Sequence, residues 1–312
     1  MGQTFASFIP VTSGVPQGSH LGPLLFNIFV NNINSQFKHS KVLLYADDMN
    51  IFRVIKNELD CSFLQKDLNN LCDYCSTNLL ELNITKCNVI TFTRKSKPIV
   101  YNYQLNGNVL GGVNEVRDLG IYLDSKLTYG YHVNLMTAKA YKMLGFVLRI
   151  AKDFKDRSTL TTLYFAFVRS VLEYGSVVWN PQYKKYIDNI ESIQNKFIKH
   201  LKFKYNNFKA VKDISLPALT LRRMERDQLF LFKILNHFID SPFLLSNIYF
   251  RCPRSNSRNH AVFSVPLTST NYASNSFLLR ACANYNKNLK NIDIFGSAIG
   301  AYRRAARDKL YL

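Results

Sequence analysis

Two short apolar runs separated by three residues restrict most strongly what this chain can fold into. The runs are residues 41–45 and 49–54, and Ala46, Asp47 and Asp48 lie between them. Each run has the length and the apolar composition of a β-strand. Three residues can connect two strands only through a tight hairpin. We therefore predict two adjacent strands, the first of them buried, whose turn carries two neighbouring carboxylates.

The two neighbouring carboxylates allow two interpretations. Like charges this close resist ionising together unless a cation lies beside them, which favours a metal-binding turn. A solvated turn is the alternative, because aspartate is common in turns. The upstream sequence favours the metal: in the loop of residues 13–19, Gly14 and Gly18 flank Pro16, and an apolar run with helical spacing follows. Such a loop lets the backbone approach a ligand closely.

The remaining chain divides into a mixed part and a helical part. Residues 89–93 and 117–123 have the composition of strands, and Asn106-Gly107 is typical of the turn of a β-hairpin. From about residue 131 the apolar period becomes helical, with helices predicted near 132–151, 157–175, 183–203 and 217–238. The last 70 or so residues show no regular period. We predict an α+β fold with a boundary near 128–132, divided as 1–130, 131–240 and an irregular basic segment 241–312.

The positive charge of the chain is unevenly distributed. Residues 1–130 contain 11 Lys and Arg against 10 Asp and Glu, whereas residues 131–312 contain 29 against 11. This asymmetry favours a polyanionic partner bound by the second part, although a merely soluble basic domain is the alternative. Six cysteines are too few for a disulfide scaffold, and no signal peptide or membrane anchor is recognisable. We therefore expect an intracellular protein of the nucleus or cytoplasm, with no membrane partner.

One predicted helix carries a dense cationic face. Between Glu191 and Asp213 no acidic residue occurs, and apolar residues recur at 190, 193, 197, 198, 201 and 205, so that one face can pack while lysines project outward. Such a helix could lie along a phosphate backbone without reading bases. A solvated cationic face is the alternative. The residues that we predict to bind nucleic acid are Lys196, Lys199, Lys202, Lys204, Arg222 and Arg223.

Four motifs follow one another along the first part of the chain. They are Gly14-Val15-Pro16-Gln17-Gly18-Ser19 with the helix after it, Tyr45-Ala46-Asp47-Asp48, Leu82-Asn83-Ile84-Thr85-Lys86 with Phe92, and Leu119-Gly120-Ile121-Tyr122-Leu123-Asp124. In this order they resemble motifs of reverse transcriptases from non-LTR retrotransposons, and the resemblance covers essentially the whole chain. The later ones resemble jockey-like elements and comprise Leu172-Glu173-Tyr174-Gly175, Trp179-Asn180-Pro181 and Ile190-Glu191-Ser192-Ile193-Gln194-Asn195-Lys196. The resemblance implies a partial polymerase palm with a primer-grip region, followed by a helical, thumb-like domain.

The resemblance also implies roles for individual residues. Asp47 and Asp48 would bind Mg²⁺ in a two-ion site for RNA-templated DNA synthesis. Lys86 would protonate pyrophosphate, with an ordinary helix-end cation as the alternative. The partners would be an RNA template, a DNA primer and deoxynucleotides. The residues expected to bind these substrates are Gly14, Pro16, Gln17, Gly18 and Tyr45 at the nucleotide and template, and Leu119 and Gly120 at the primer end.

The sequence departs from the family's pattern at one point. Family members have a further metal-binding aspartate on a strand before the glycine-containing loop, but the first 46 residues of this sequence contain no Asp or Glu. Two neighbouring carboxylates on one turn cannot easily clamp two ions from opposite sides, so we expect this chain by itself to be inactive. A nucleic-acid-binding remnant without chemistry is the alternative function. Cys72 and Cys75 have the spacing of a metal pair but no second pair nearby, so zinc is not expected.

Overall fold

The chain forms two compact units, Met1–Asn114 and Glu115–Leu312. The structure is a computed structural model that describes residues 14–15, 18–205, 216–252 and 261–311. The boundary lies before the one predicted near 128–132, because the strands that follow residue 114 pack with the helices of the second unit. Helices and strands are both present, in agreement with the predicted α+β composition.

The first unit is built around one long helix. It contains α1 (Gly22–Val30), β1 (Lys41–Tyr45), β2 (Asp48–Phe52), α2 (Glu58–Thr77), β3 (Asn88–Ile90), β4 (Gln104–Leu105), β5 (Asn108–Val109) and β6 (Gly111–Val113). β1 pairs with β2 and β4 with β5, both antiparallel, and β3 pairs with β6 in parallel. Asn57 and Asp60 form a capping box that starts α2. On α2, Leu68, Leu71 and Tyr74 fill two small cores.

The predicted hairpin between β1 and β2 is confirmed, with a shorter turn than expected. Tyr45 pairs with Asp48, so the turn consists of Ala46 and Asp47 alone. Ala46 has a φ of 53°, in the left-handed region that lets a two-residue turn reverse the chain. Asp48 is therefore the first residue of β2, and the two carboxylates stand on either side of the point where the strand begins.

The first strand of this hairpin is not buried, which corrects the prediction. Only the sheet face that carries Met49 and Ile51 packs on a core of the first unit. The opposite face is exposed: Leu43 is 61% and Tyr45 is 67% accessible. Apolar composition shows what a strand can bury, but the described residues leave the side chains of this face largely accessible.

Two further turns decide how the shorter strands pair. The predicted hairpin at Asn106-Gly107 is confirmed, with φ values of 49° and 76°. The single strand predicted at 117–123 is wrong, since β7 (Glu115–Asp118) and β8 (Ile121–Asp124) form an antiparallel hairpin. Its turn, Leu119-Gly120, has φ values of 43° and 86°, the positive pair that a primed two-residue turn requires.

The second unit is mainly helical, and the four long helices predicted from the apolar period are confirmed. They are α3 (Gly130–Ile150), the continuous segment of α4 (Arg157–Tyr164), a π-helical turn (Phe165–Arg169) and α5 (Ser170–Glu173), then α7 (Lys184–Lys204) and α8 (Leu219–Leu235). The short α6 (Ser176–Trp179) lies between α5 and α7. Their apolar faces form one core with fully buried residues that include Leu144, Leu160, Trp179, Ile193 and Phe197.

The segment predicted to be irregular is partly helical, and that prediction is wrong. It contains α9 (Pro242–Ser246), α10 (Asn271–Ser274), α11 (Phe277–Asn284), a π-helical turn (Tyr285–Leu289) and α12 (Ile299–Tyr311). Phe232 of α8 stacks on Tyr302 of α12 at 4.6 Å between ring centroids, within a second buried core. Because α8 supplies Leu219 to the first core and Leu231 to the second, the predicted parts 131–240 and 241–312 lie in one compact unit.

The cysteines and the hydropathy of the helices add two observations. All six cysteines are free thiols. In the described ranges, none of the helices combines the length and the apolar character that crossing a bilayer requires.

Candidate functional site

The acidic turn of the first unit presents two carboxylates to solvent. Asp47 and Asp48 are both exposed, as is the neighbouring Tyr45. Within residues 14–15, 18–205, 216–252 and 261–311, no group of three His, Cys, Asp or Glu side chains is placed to hold a metal ion. Two carboxylates are hard oxygen ligands, which suit Mg²⁺ when substrate phosphates and water complete its coordination. The turn therefore offers part of a metal site.

The glycine-containing loop adopts the backbone conformation that its composition favours. Gly14 and Gly18 have φ values of 81° and 86°, so both occupy the left-handed region. Among the described residues, no atom lies within 4 Å of a Cβ placed at Gly18, so none of them covers its backbone. The Oγ of Ser19 accepts a hydrogen bond from the N–H of Gly22 at 3.0 Å, where α1 begins. Pro16 and Gln17 lie outside the described residues.

Lys86, the predicted proton donor to pyrophosphate, is exposed. It ends a short 3-10 helix, Ile84–Lys86, which precedes β3. This position fits either interpretation of the residue, because an exposed ammonium group at a helix end is free to contact a phosphate or solvent.

The Leu119-Gly120 turn belongs to the second unit and is held there by Tyr174. The hydroxyl group of Tyr174 donates a hydrogen bond to the carbonyl oxygen of Leu119 at 2.8 Å. A Cβ at Gly120 would lie 3.3 Å from the ring of Tyr174, so a side chain at this position would crowd it. The turn predicted to contact a primer end is therefore bound by Tyr174, which lies more than fifty positions further along the chain.

Two residues near Tyr174 show how closely this part of the chain is packed. Gly175 has a φ of 62°, and a Cβ there would lie 2.6 Å from the Cδ1 atom of Ile121. Trp179 is fully buried, and its Nε1 donates to the carbonyl oxygen of Tyr174 at 2.7 Å. The sequence shows the Glu-Tyr-Gly and Trp-Asn-Pro motifs but not this role. A tyrosine before a glycine and a single tryptophan are the only signals for it.

The cationic face predicted on α7 is present. Ile190, Ile193, Phe197 and Leu201 are fully buried on one side of this helix. On the other side three of the predicted lysines are exposed, and the Lys196 ammonium group lies 4.7 Å from the ring centre of Tyr141 on α3. The exposed lysines of this face are Lys196, Lys199 and Lys202, which we call the α7 lysines.

Three of the six residues predicted to bind nucleic acid have structural partners. Lys204 donates to the carbonyl oxygens of Ala151 at 2.6 Å and of Lys152 at 2.9 Å, where it satisfies the end of α3. The side chain of Arg223 is buried and donates to Asn180, and its burial lowers the pKa of the guanidinium group. Arg223 is buried, and Lys204 and Arg222, described next, are half-buried and paired within the protein. Nucleic-acid binding by these three residues stays a prediction.

The carboxylate of Glu173 is surrounded by arginines. Its side chain is 3% exposed. Arg222 forms a two-pronged ion pair with it, and Arg226 donates at 2.7 Å. Arg169 lies 3.9 Å away, and burial together with the nearby Arg222 lowers the pKa of the Arg169 guanidinium group. This cluster was not predicted, since Arg222 and Arg226 come from α8, about fifty residues further along the chain.

Two further buried carboxylates connect α8 to the last helices. Burial raises the pKa of the Asp227 carboxyl group, against the opposing effect of Arg280, which pairs with it at 2.8 Å. For Glu225, burial acts in the same direction, but hydrogen bonds outweigh it and lower the pKa. The donors of those bonds lie on α12 and are Arg303, Arg307 and Tyr311. The two acidic residues of α8 thus bind arginines of α11 and α12.

Comparison with known proteins agrees with the motifs. The family model described as "Reverse transcriptase (RNA-dependent DNA polymerase)" matches residues 2–148. Residues 2–148 are therefore similar to reverse transcriptases, and the chain resembles RNA-directed DNA polymerases of the jockey-like type found in non-LTR retrotransposons. No solved structure matches the chain significantly.

Three of the similar curated proteins come from Drosophila melanogaster. A probable RNA-directed DNA polymerase from transposon BS is 31% identical over 197 residues, which cover 59% of this chain and 22% of that relative. The RNA-directed DNA polymerase from mobile element jockey is 28% identical over 206 residues, 63% of this chain and 22% of the relative. The probable polymerase from transposon X-element is 27% identical over 200 residues, 60% of this chain and 21% of the relative. The matched part is thus about a fifth of each relative's length.

Proposed function

We propose that this chain is the part of a reverse transcriptase that contributes metal-binding carboxylates and a nucleic-acid-binding surface to RNA-templated DNA synthesis. The observation that carries the proposal is the two-residue turn with Asp47 and Asp48, exposed at the start of β2 within the segment that matches the family. Its substrates would be an RNA template, a DNA primer and deoxynucleotides.

The donor atoms of the turn fit one part of a two-ion site. Divalent metal ions supply charge stabilisation and activate the attacking hydroxyl group in such sites. Asp47 and Asp48 would hold a cation there, Tyr45 and the backbone of Gly18 would border the nucleotide, and Leu119 with Gly120 would contact the primer end. Because both carboxylates come from one turn, we infer that this chain by itself does not assemble the full site. Lys86 remains a candidate donor to pyrophosphate.

The metal assignment predicts weak Mn²⁺ binding that depends on the turn. Paramagnetic broadening of the Ala46 and Asp48 amide resonances should appear on titration with Mn²⁺ and vanish in the Asp47→Asn, Asp48→Asn variant, since amides cannot replace the anionic ligands. The control variant Asp73→Asn, Glu81→Gln removes the same charge from exposed positions of the same unit and should broaden as the unmodified chain does. Broadening that survives the first variant would refute a metal site at this turn.

Primer extension on an RNA template with Mg²⁺ tests the inferred inactivity separately. We expect no extension by this chain or by its Asp47→Asn variant. Extension by the chain that the variant abolishes would contradict the inference of an incomplete site, while it would establish the polymerase chemistry at Asp47.

A nucleic-acid-binding remnant without chemistry is the second candidate function. The observation in its favour is the charge of the second unit, in which residues 115–312 contain 31 Lys and Arg against 14 Asp and Glu. The α7 lysines are exposed, and no acidic residue follows Glu191 on their helix. Both functions require nucleic-acid binding, and only the first also requires the acidic turn.

The α7 lysines should contribute directly to the salt dependence of nucleic-acid binding. Replacing all three by glutamine should weaken binding to duplex and single strands alike. It should also reduce the slope of log affinity against log salt by about 1 per lysine, because each phosphate contact releases counterions. The control Lys66→Gln, Lys95→Gln, Lys97→Gln removes the same charge from exposed positions in the first unit. Equal slopes for the two triple variants would show that the net charge of the chain, and not the position of the α7 lysines, determines the affinity for nucleic acid.

A further inference from the structure

A cavity in the second unit has no role in the functions described so far. Its volume is about 340 Å³. Cavities that bury small ligands measure roughly 300–1,000 Å³, so this one is large enough for a small planar group. Its walls come from the segment before α3, from α6 and from the start of α11, and they include Tyr129, Val178, Tyr272 and Phe277.

The aromatic wall is held in place by backbone contacts. Tyr129 has a φ of 57°, an unfavourable conformation for a tyrosine. The carboxylate of Asp124 stabilises it, because it accepts hydrogen bonds from the N–H groups of Tyr129 at 2.6 Å and of Thr128 at 3.0 Å. Burial, with the nearby Tyr272 and Asp124, raises the pKa of Tyr129 to about 12, so its hydroxyl group stays protonated. Tyr129, Tyr272 and Phe277 are each half-buried at the cavity, and the Phe277 ring packs edge-to-face on Phe230 with 5.0 Å between ring centroids.

Polar groups at the cavity remain open to a ligand. The side-chain amide of Gln182 lines it and has no hydrogen-bond partner in the described part of the chain. An amide both donates and accepts, as the edge of a nucleobase does. By contrast, Arg280 at the cavity is fully engaged with Asp227 and with the carbonyl oxygens of Asn275 and Val177. The cavity therefore combines half-buried aromatic side chains with the exposed amide of Gln182, and its arginine is already paired.

Two cations stand beside the cavity. Lys184 and Lys185 follow Gln182 at the start of α7 and are exposed. Lys185 lies 5.9 Å from the ring of Tyr186, and the hydroxyl group of Tyr186 is next to Gly130, the residue after Tyr129. Exposed ammonium groups at this position can reach the phosphates of a strand while a base enters between the aromatic rings.

We propose that this cavity receives one unpaired base of a nucleic-acid strand whose phosphates lie at Lys184 and Lys185. Single-stranded nucleic acids are commonly held by aromatic side chains that stack on bases next to a cationic track. The inference rests on the proposed nucleic-acid binding and adds a base-dependent site to it. It concerns stacking and amide hydrogen bonds, so it does not involve the acidic turn of the first unit.

A pair of single-stranded DNA probes tests the inference. One probe is an ordinary strand, and the other has the same backbone with its bases removed. Affinity is measured for both by fluorescence anisotropy with the full chain. We expect Tyr272→Ala to weaken binding of the ordinary strand about 5–150-fold, the loss of one stacked base, and to leave the abasic strand unchanged. Tyr249→Ala is the control, because Tyr249 is 56% exposed and does not line the cavity.

If the Tyr272→Ala variant does not fold, the Gln182→Ala variant provides the same comparison of the two probes. Gln182 is exposed, so its replacement should leave the fold intact, and it should weaken the ordinary strand selectively while the abasic strand binds as before. If the unmodified chain binds both probes equally and neither variant discriminates them, the base site is refuted while nucleic-acid binding stands. If the unmodified chain binds neither probe, the proposed nucleic-acid function fails and the base site fails with it.

Discussion

Replacing Glu173 by glutamine is expected to lower the free energy of unfolding of the second unit by about 3–5 kcal/mol. The carboxylate is 3% exposed and holds Arg222 and Arg226, with Arg169 close by. Without its negative charge, three neighbouring guanidinium groups repel one another, and the amide N–H₂ of glutamine points donors at donors. Breaking a buried ion pair from one side costs more than the pair contributes, because the partner charge remains buried.

Urea unfolding measures this loss. The single tryptophan, Trp179, lies in the second unit, so its fluorescence reports the unfolding of that unit alone. With an m value of about 2 kcal/mol/M, the midpoint should fall by roughly 1.5–2.5 M. Glu115→Gln is the matched control, since Glu115 is exposed in the same unit and should change stability by less than about 0.5 kcal/mol.

A second variant separates the carboxylate from its individual partners. The side chain of Arg226 is 39% exposed, so Arg226→Met should cost no more than about 1 kcal/mol because solvent screens that pair. If Glu173→Gln were as mild as Arg226→Met, the buried cluster would not be a determinant of the fold, and its arginines would be free to serve a ligand.

The sequence predicted local structure well where one residue decides the outcome. Asn106-Gly107 favours positive φ at both turn positions, and the hairpin forms there. The helices of the second unit follow from apolar residues at helical spacing, with Ile190, Ile193 and Phe197 buried on one side of α7. In both cases the information lies within a few neighbouring residues.

The sequence was misleading where burial depends on elements distant in the chain. Residues 41–45 are apolar enough for a core strand, yet Leu43 is 61% exposed because nothing in the described residues covers that face of the hairpin. Leu119-Gly120 was read as the middle of a strand, since leucine is seldom the first residue of a primed turn. Tyr174 stabilises the turn through its bond to Leu119, and no local pattern shows that contact.

The candidate site was predictable in kind but not in detail. The acidic turn and the α7 lysines are exposed as an external ligand requires. A cation can equally be bound inside the protein, and sequence does not distinguish the two cases. Lys204 and Arg223 share the composition of the exposed cations, but the carbonyl oxygen of Ala151 and the side chain of Asn180 bind them. Partners of this kind lie tens of residues away and become visible only in the folded chain.

The second large effect is expected at Trp179. This residue is buried in the core of the second unit, and its indole N–H binds Tyr174, whose hydroxyl group in turn binds the Leu119-Gly120 turn. Trp179→Ala should lower the free energy of unfolding by about 3–5 kcal/mol, the cost of removing a fully buried aromatic side chain and leaving a cavity. It also leaves the carbonyl oxygen of Tyr174 without the bond from Nε1. Far-UV circular dichroism during urea unfolding measures the change, since the fluorescent reporter is lost in this variant.

Two milder variants show whether packing or the hydrogen bonds position the turn. Trp179→Phe keeps much of the ring but loses the indole N–H, and should cost about 1–3 kcal/mol. Tyr174→Phe removes only the bond to the Leu119 carbonyl oxygen, at an exposed site, and should cost less than about 1 kcal/mol. Its effect should instead appear as faster hydrogen exchange of the Leu119, Gly120 and Ile121 amides. If exchange there were unchanged in Tyr174→Phe but faster in Trp179→Phe, the indole and its packing would position the turn, and the tyrosine hydroxyl would be dispensable.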